Sequence, residues 1–149
     1  MIYMIEFRKI NTKDYKSCAN ALIAAFNQEP WNENWTYEQA LTRIDEMMSG
    51  RVSCGYVAVD GEAVVGMLIG RIMTYLDWKE VFIDEFSVHP AYQGKNIGSD
   101  LLDFAQKQLM QEGISAFVLN TENDKPAVQF YKKNGFKIKD NLVFMAKNF

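Results

Sequence analysis

Two hydrophobic periods divide this chain, one of two residues and one of three to four. The end of the stretch from Met1 to Ile10 alternates and predicts a first strand. Thr12 then offers an N-cap, and Tyr15, Cys18, Ala19, Leu22, Ile23 and Phe26 form one apolar helix face that stops before Pro30. Thr36-Tyr-Glu-Gln39 reads as a capping box. The helix it opens carries Tyr37, Ala40, Leu41, Ile44, Met47 and Met48 as its apolar stripe and ends at Gly50. Cys54 to Val59 and Ala63 to Ile72 read as strands joined by Asp60-Gly61, a hairpin signal. Gly66 inside the second strand predicts a bulge or a close backbone approach. Thr74 to Glu80 reads as a connection. Val81 to Val88, rich in β-branched and aromatic residues and followed by Pro90, is the next strand. Leu101, Leu102, Ala105 and Leu109 mark a helix from Ser99. A further strand is expected from Ser115 to Asn120, and a helix with Pro126 in its first turn and its stop at Asn134-Gly135. Phe136 to Lys137 and Leu142 to Met145 are expected to close the sheet.

These elements predict a single α/β domain over residues 1–149 with a mixed, mostly antiparallel sheet. A chain of 149 residues can bury a sizeable core, and 48% hydrophobic with 23% charged residues is ordinary for a globular protein. A formal charge of −3 argues against a nucleic-acid partner and permits a cationic substrate. Neither a membrane-span-length apolar run nor a signal peptide is seen, so the expectation is a cytoplasmic protein. The cysteines, Cys18 and Cys54, lack metal spacing and read as reduced thiols, and no metal site is expected.

The chemistry concentrates around Val81 to Leu109. A strand feeds a loop, Gln93-Gly-Lys-Asn-Ile-Gly98, that opens a helix and contains no acidic residue. Unpaired N–H groups of a first helical turn, the helix dipole and the Lys95 charge together suit a phosphate or pyrophosphate. The loop is not a P-loop, because Asn96 follows Lys95 where a magnesium-binding Ser or Thr is needed. It is not a dinucleotide fingerprint, because only Gly94 and Gly98 are present of three glycines.

Gln93 to Gly98 resembles the pyrophosphate loop of the GNAT superfamily of acetyl-CoA-dependent N-acetyltransferases, of the form Gln/Arg-x-x-Gly-x-Gly/Ala. Asn96 stands where the family usually has glycine, and asparagine is among the residues that tolerate positive φ. The preceding Val88-His-Pro-Ala-Tyr92 is similar to the family too. So is Ala127-Val-Gln-Phe-Tyr131-Lys-Lys-Asn-Gly135-Phe136, which looks like the second family motif. That motif's leading asparagine falls at Asp124, with Asn123 one place early.

The resemblance implies a sheet splayed at one end, with strands 81–88 and 115–120 parallel and helices on both faces. Acetyl-CoA would enter the gap, contacting Phe86, Ser87, Val88, Gln93, Gly94, Lys95, Asn96, Ile97, Gly98, Ser99, Asn123 and Tyr131. It implies a primary amine as acceptor, a small molecule in preference to a protein, with aminoglycoside, polyamine, small metabolite amine and protein N-terminus all open; homodimers are frequent in the family. The helical insert after the first strand usually lines the acceptor site, which would make Trp31, Glu33 and Trp35 substrate contacts, although the aromatic loop could equally close a core edge; Glu85, on strand 81–88, is the further substrate contact expected. Phe26 to Thr36 also looks like a segment of aminoglycoside-acetyltransferase-like members.

A protonated amine must lose its proton before it attacks, and Asp84 or Glu85 could take it directly or through water. Neighbouring strand side chains face opposite ways. Phe82, Phe86 and Val88 give Asp84's face the greater apolar bulk, so Glu85 is expected on the lighter, more open face and is the preferred base. A strand N–H can stabilise the oxyanion formed on the thioester, and Tyr131 is placed by the resemblance to protonate the leaving thiolate. Tyr131 could instead be a core aromatic beside Phe130. His89, before Pro90, reads as structural. The alternative to an enzyme is a non-catalytic acetyl-CoA-binding sensor or interaction module on the same fold.

Overall fold

The computed structural model of the protein describes residues 4–149. It forms two compact units, the first reaching to Leu119 and the second Asn120–Phe149.

In the first unit, five strands lie in sequence order: β1 (Ile5–Lys9), β2 (Ser53–Asp60), β3 (Ala63–Tyr75), β4 (Trp78–Val88) and β5 (Ala116–Val118). Neighbours are antiparallel except β4 and β5, which are parallel. Between β1 and β2 come α1 (Tyr15–Phe26) and α2 (Tyr37–Met48), and between β4 and β5 comes α3 (Ile97–Gln111). The expected first strand is confirmed at Ile5–Lys9; Met1 to Tyr3 lie outside the described residues.

The two sheet faces are covered by different helices. Cys18, Ala19, Leu22, Ala40 and Ile44 from α1 and α2 pack on Val57, Val59, Met67 and Ile69. The opposite face carries Ala58 and Val65 against Ile97 at the start of α3, with Val88 and Tyr92 alongside. Alternate residues of β2 therefore serve two cores, as a pleated strand requires.

Helix starts follow their caps. Thr36 Oγ1 accepts from Gln39 N–H and Gln39 Oε1 accepts from Thr36 N–H, the expected box. At the first helix the cap is Asn11 rather than Thr12. Asn11 accepts from Lys13 N–H and donates its own N–H to Asp14 Oδ2, opening a 3-10 turn, Thr12–Asp14, ahead of α1. The asparagine oxygen satisfies one orphan donor of that turn, and α1 itself has no side-chain cap.

Two departures from the sequence reading concern strands. Thr74 to Glu80 is not a connection. β3 runs to Tyr75, β4 starts at Trp78, and Leu76-Asp77 is the turn, with Leu76 at φ +53°. That turn lacks the Gly or Asn that marks such bends, so its arms were hidden; the Tyr75 and Trp78 rings meet across it at 4.9 Å. At the chain's end, 136–137 and 142–145 form no strands among the described residues. Apolar composition does not make a strand without a ladder partner. Leu142, Val143, Phe144 and Met145 are exposed.

Each of the two long ladders carries a bulge beside a glycine. Ala58 faces Gly66 while Val59 faces Val64, so Val65 is extra, next to the glycine where a bulge was expected. Ile69 faces Glu85 while Gly70 faces Ile83, so Asp84 is extra in β4. A Cβ at Gly70 would meet Phe82 O and Val81 Cγ1, each at 2.6 Å, which explains glycine there. Bulges bend the strand and re-aim its side chains.

The second unit contains α4 (Ala127–Lys133), opened by Pro126 and stopped at Asn134-Gly135. Tyr131 packs edge-on against Phe130 and Phe136, with ring centroids 5.4 and 5.2 Å away.

Candidate active site

Along β4, burial alternates without interruption. Val81, Ile83, Glu85 and Ser87 are buried, while Phe82, Asp84, Phe86 and Val88 are half-buried. Glu85 stands opposite Ile69, whose side chain belongs to the core under α1 and α2. The expectation of a lighter, more open face for Glu85 is therefore corrected. A close-packed helix layer favours small and aliphatic residues beneath it, and aromatic bulk did not reveal which face that layer covers. Glu85 is only 9% exposed.

A buried carboxylate needs a partner. Arg43, from α2, supplies it: Nε donates to Glu85 Oε2 at 3.0 Å, and a second guanidinium nitrogen reaches Asp84 C=O at 3.4 Å. Burial pushes the Glu85 carboxyl pKa up. The Arg43 charge and hydrogen bond oppose this, while Glu33 and Asp84 add to it, and the net direction is upward. The Arg43 guanidinium also lies over the Trp35 ring, 5.9 Å from its centroid, and Trp35 Nε1–H donates to Glu33 Oε1 at 2.7 Å. Glu33, Trp35, Arg43 and Glu85 thus form one connected set. An open cleft of about 380 Å³ lies beside it, lined by Trp35, Glu38, Gln39, Thr42, Arg43 and Glu46. Aromatic faces and carboxylates suit a cationic ligand.

The side chains of two further expected site residues, Trp31 and Asp84, have other partners. Trp31 packs on Phe26 at the end of α1, ring centroids 5.5 Å apart. Asp84 forms a two-point pair with Arg71, at 2.8 and 2.9 Å. Arg43 was missed by sequence reasoning. The available signal was a lone cation one position before a stripe residue, Ile44, in a chain whose next strand but two bears adjacent acids.

The loop after β4 is built for a sharp turn into α3. His89 Nδ1 accepts from Ala91 N–H, capping a 3-10 turn, which supports its structural reading. Tyr92 OH donates to Asp60 Oδ2 at 2.6 Å, and Gln93 Nε2 donates to Val88 C=O. Gly94 has φ +76° and Asn96 φ +65°, so Asn96 adopts the left-handed backbone expected of it. α3 begins at Ile97, earlier than the predicted Ser99. Its first intrahelical bond runs from Asp100 N–H to Asn96 C=O, so the amides of Ile97, Gly98 and Ser99 precede the ladder. These amides and Lys95 fit a pyrophosphate. One feature opposes it: Asn96 Nδ2 donates to Asp100 Oδ1 at 3.1 Å, which brings an acid to a loop that has none in its sequence.

Paired residues of β4 and β5 run from Glu80–Ala116 to Phe82–Val118, while β4 continues to Val88. The ladder ends where the expected splay begins, ahead of Phe86, Ser87 and Val88. Ser87 Oγ is buried and has no hydrogen-bond partner among the described residues. Asn123 and Tyr131 belong to the second unit, where Asn123 is exposed and Tyr131 half-buried. Both cysteines are free. Burial pushes the Cys18 thiol up to about 12 and the Cys54 thiol up to about 11, which disfavours the nucleophilic thiolate at both. Among the described residues no helix is long and apolar enough to cross a membrane.

The model of the Acetyltransferase (GNAT) family matches residues 15–136 of this chain. A curated relative, Acetyltransferase SG1711 of Sodalis glossinidius (strain morsitans), is 28% identical over 85 residues, 56% of this chain and 60% of that protein's length. Among solved structures, a possible acetyltransferase from Clostridium difficile 630 has a TM-score of 0.82 at 15% identity, covering 98% of this chain and 99% of that one. AAC(6')-Iy in complex with a bisubstrate analogue, CoA-S-monomethyl-acetylneamine, has a TM-score of 0.74 at 14% identity, covering 97% and 99%.

Proposed function

The chain belongs to the acetyltransferase (GNAT) family, and on that premise we propose that it transfers the acetyl group of acetyl-CoA to a primary amine of a small cationic molecule. The observation that carries this reading is Glu85, a buried carboxylate tied through Arg43 to an open cleft with Trp35, Glu38 and Glu46 on its walls. A carboxyl with a raised pKa is a stronger base than an ordinary one and is better matched to an ammonium proton. The bisubstrate complex of AAC(6')-Iy supports a small amine acceptor.

When bound, acetyl-CoA supplies the activated acetyl thioester. The groups that would hold it are the backbone of Phe86, Ser87 and Val88 and the loop from Gln93 to Ser99, with Lys95 offsetting phosphate charge. Glu85 takes the amine's proton; Trp35, Glu33, Glu38 and Glu46 attract and orient the cation. The part assigned to Tyr131, proton donation to the departing thiolate, rests on its motif.

The test is calorimetry with acetyl-CoA followed by a screen of an amine library for thiol release. Transfer to at least one cationic amine is expected. Tight cofactor binding without transfer to any amine would leave the sensor reading in its place. No binding at millimolar acetyl-CoA by folded protein would remove both.

A further inference from the structure

We propose that Arg43 is a positioning residue for this reaction: it grips Glu85 by one carboxylate oxygen and leaves the other to receive the acceptor's proton. The inference rests on the acetyl-transfer reading of the site. Arg43 donates to Oε2, and no hydrogen bond to Oε1 is made among the described residues. Glu85 has little rotational freedom under α1 and α2, so a fixed Oε2 also fixes Oε1. Arg43 is itself held from two further directions, by Asp84 C=O and by the Trp35 ring. Its side chain keeps 40% exposure, so the guanidinium stands at the boundary between the cleft and the buried carboxyl.

A second consequence follows from charge. The groups that act on Glu85 are Arg43 from α2, Glu33 from the loop before α2, and Asp84 beside it on β4. Arg43 alone favours the ionised carboxylate; burial, Glu33 and Asp84 all oppose it. Loss of the Arg43 charge therefore leaves only influences that favour the protonated acid, which cannot accept a proton. Arg43 both aims the base and keeps it ionised. Because it also repels a cationic acceptor, the carboxylates Glu38 and Glu46 on the cleft wall restore the attraction.

The experiment compares wild type, Arg43→Lys and Arg43→Met by carbon-detected NMR of the Glu85 carboxyl across pH. The midpoint should move upward in Arg43→Met, with Arg43→Lys between it and wild type. This readout needs no turnover, so it stands or falls separately from the enzymatic reading. With the acceptor found by the amine screen, the acidic limb of kcat/KM should move the same way. At pH 7 kcat should fall roughly tenfold or more in Arg43→Met, and Arg43→Lys should recover part of it. Should Arg43→Met not fold, Arg43→Gln takes its place as the neutral variant. An unmoved Glu85 midpoint in a folded neutral variant overturns the proposal. So does a raised KM with unchanged kcat, which would make Arg43 a substrate anchor.

Discussion

Glu85 lies opposite Ile69 in the β3–β4 ladder, and the next residue of β3, Gly70, lies opposite Ile83. Asp84 is thereby left without a counterpart, and its carboxylate is taken by Arg71 at 2.8 Å. The two adjacent acids therefore have separate partners and separate environments. Glu85→Gln is expected to lower kcat/KM by about 10²–10⁴-fold and to remove the acidic limb of its pH profile. Asp84→Asn should keep that limb. Full activity in Glu85→Gln with loss in Asp84→Asn would reverse the assignment.

The same bulge makes a prediction about stability. A methyl group at Gly70 would press on the Phe82 carbonyl oxygen, a backbone atom with little room to yield. At Gly66 the nearest atoms would stand at 3.4–3.6 Å, ordinary contact. Gly70→Ala should cost about 1–3 kcal/mol in urea unfolding, typical of an overpacked site. Gly66→Ala should stay well inside that. Equal effects at both positions would mean that the bulge relaxes to admit the methyl.

The contrast between Asn96 and Glu85 shows what the sequence could and could not say. Asn96 is legible because backbone geometry is written in residue type: few side chains accept positive φ, and one of them stands there before a helix. The capping box at Thr36 and Gln39 is legible for the same local reason. Glu85's environment is not local. Its cover comes from Ile69 and the α1–α2 layer, distant in sequence, and the aromatic weight of Phe82 and Phe86 pointed to the wrong face. Arg43 was missed because only the folded topology brings α2 over β4.

Asn96 yields a graded test of the phosphate loop. Asn96→Gly should keep or improve acetyl-CoA affinity, since glycine accepts the same backbone and removes the side chain that holds Asp100 to the loop. Asn96→Val should weaken it sharply. Asp100→Asn should tighten binding, because a carboxylate within hydrogen-bonding distance of Asn96 opposes a pyrophosphate. Calorimetry at two salt concentrations reads all three. Unchanged affinity across the series would move the cofactor away from this loop.

Tyr131 offers a clean single-atom change. Tyr131→Phe keeps the ring that packs on Phe130 and Phe136 and removes only the hydroxyl. A proton donor should show a loss in kcat of about 10²–10⁴-fold with the Kd for acetyl-CoA nearly unchanged. With chemistry shown to be rate-limiting, an unaltered kcat would return Tyr131 to a packing role.

Two buried acids should respond to pH in opposite senses. Asp14 is buried and paired with Arg8 at 2.7 and 2.8 Å. Burial pushes its pKa up, but the Arg8 hydrogen bond, the Asn11 amide and the nearby cations together outweigh that, so it lies below its ordinary value of 3.8. A depressed carboxyl stabilises the fold above its unfolded pKa, and that stabilisation is lost as pH falls through the folded one. Glu85 is raised above its ordinary 4.5, so its contribution is present below the unfolded value and is lost as pH rises through the folded one. Asp14→Asn should therefore cost about 1–3 kcal/mol at pH 7 and progressively less below pH 3.8. Relative to wild type, Glu85→Gln should become more stable as pH rises from 4.5 toward neutrality. Urea unfolding across this range reads both variants. Parallel curves for wild type and Asp14→Asn would show that the Arg8 pair does not set acid stability. A Glu85→Gln variant that instead loses stability relative to wild type as pH rises would show that Arg43, rather than burial, governs the Glu85 carboxyl.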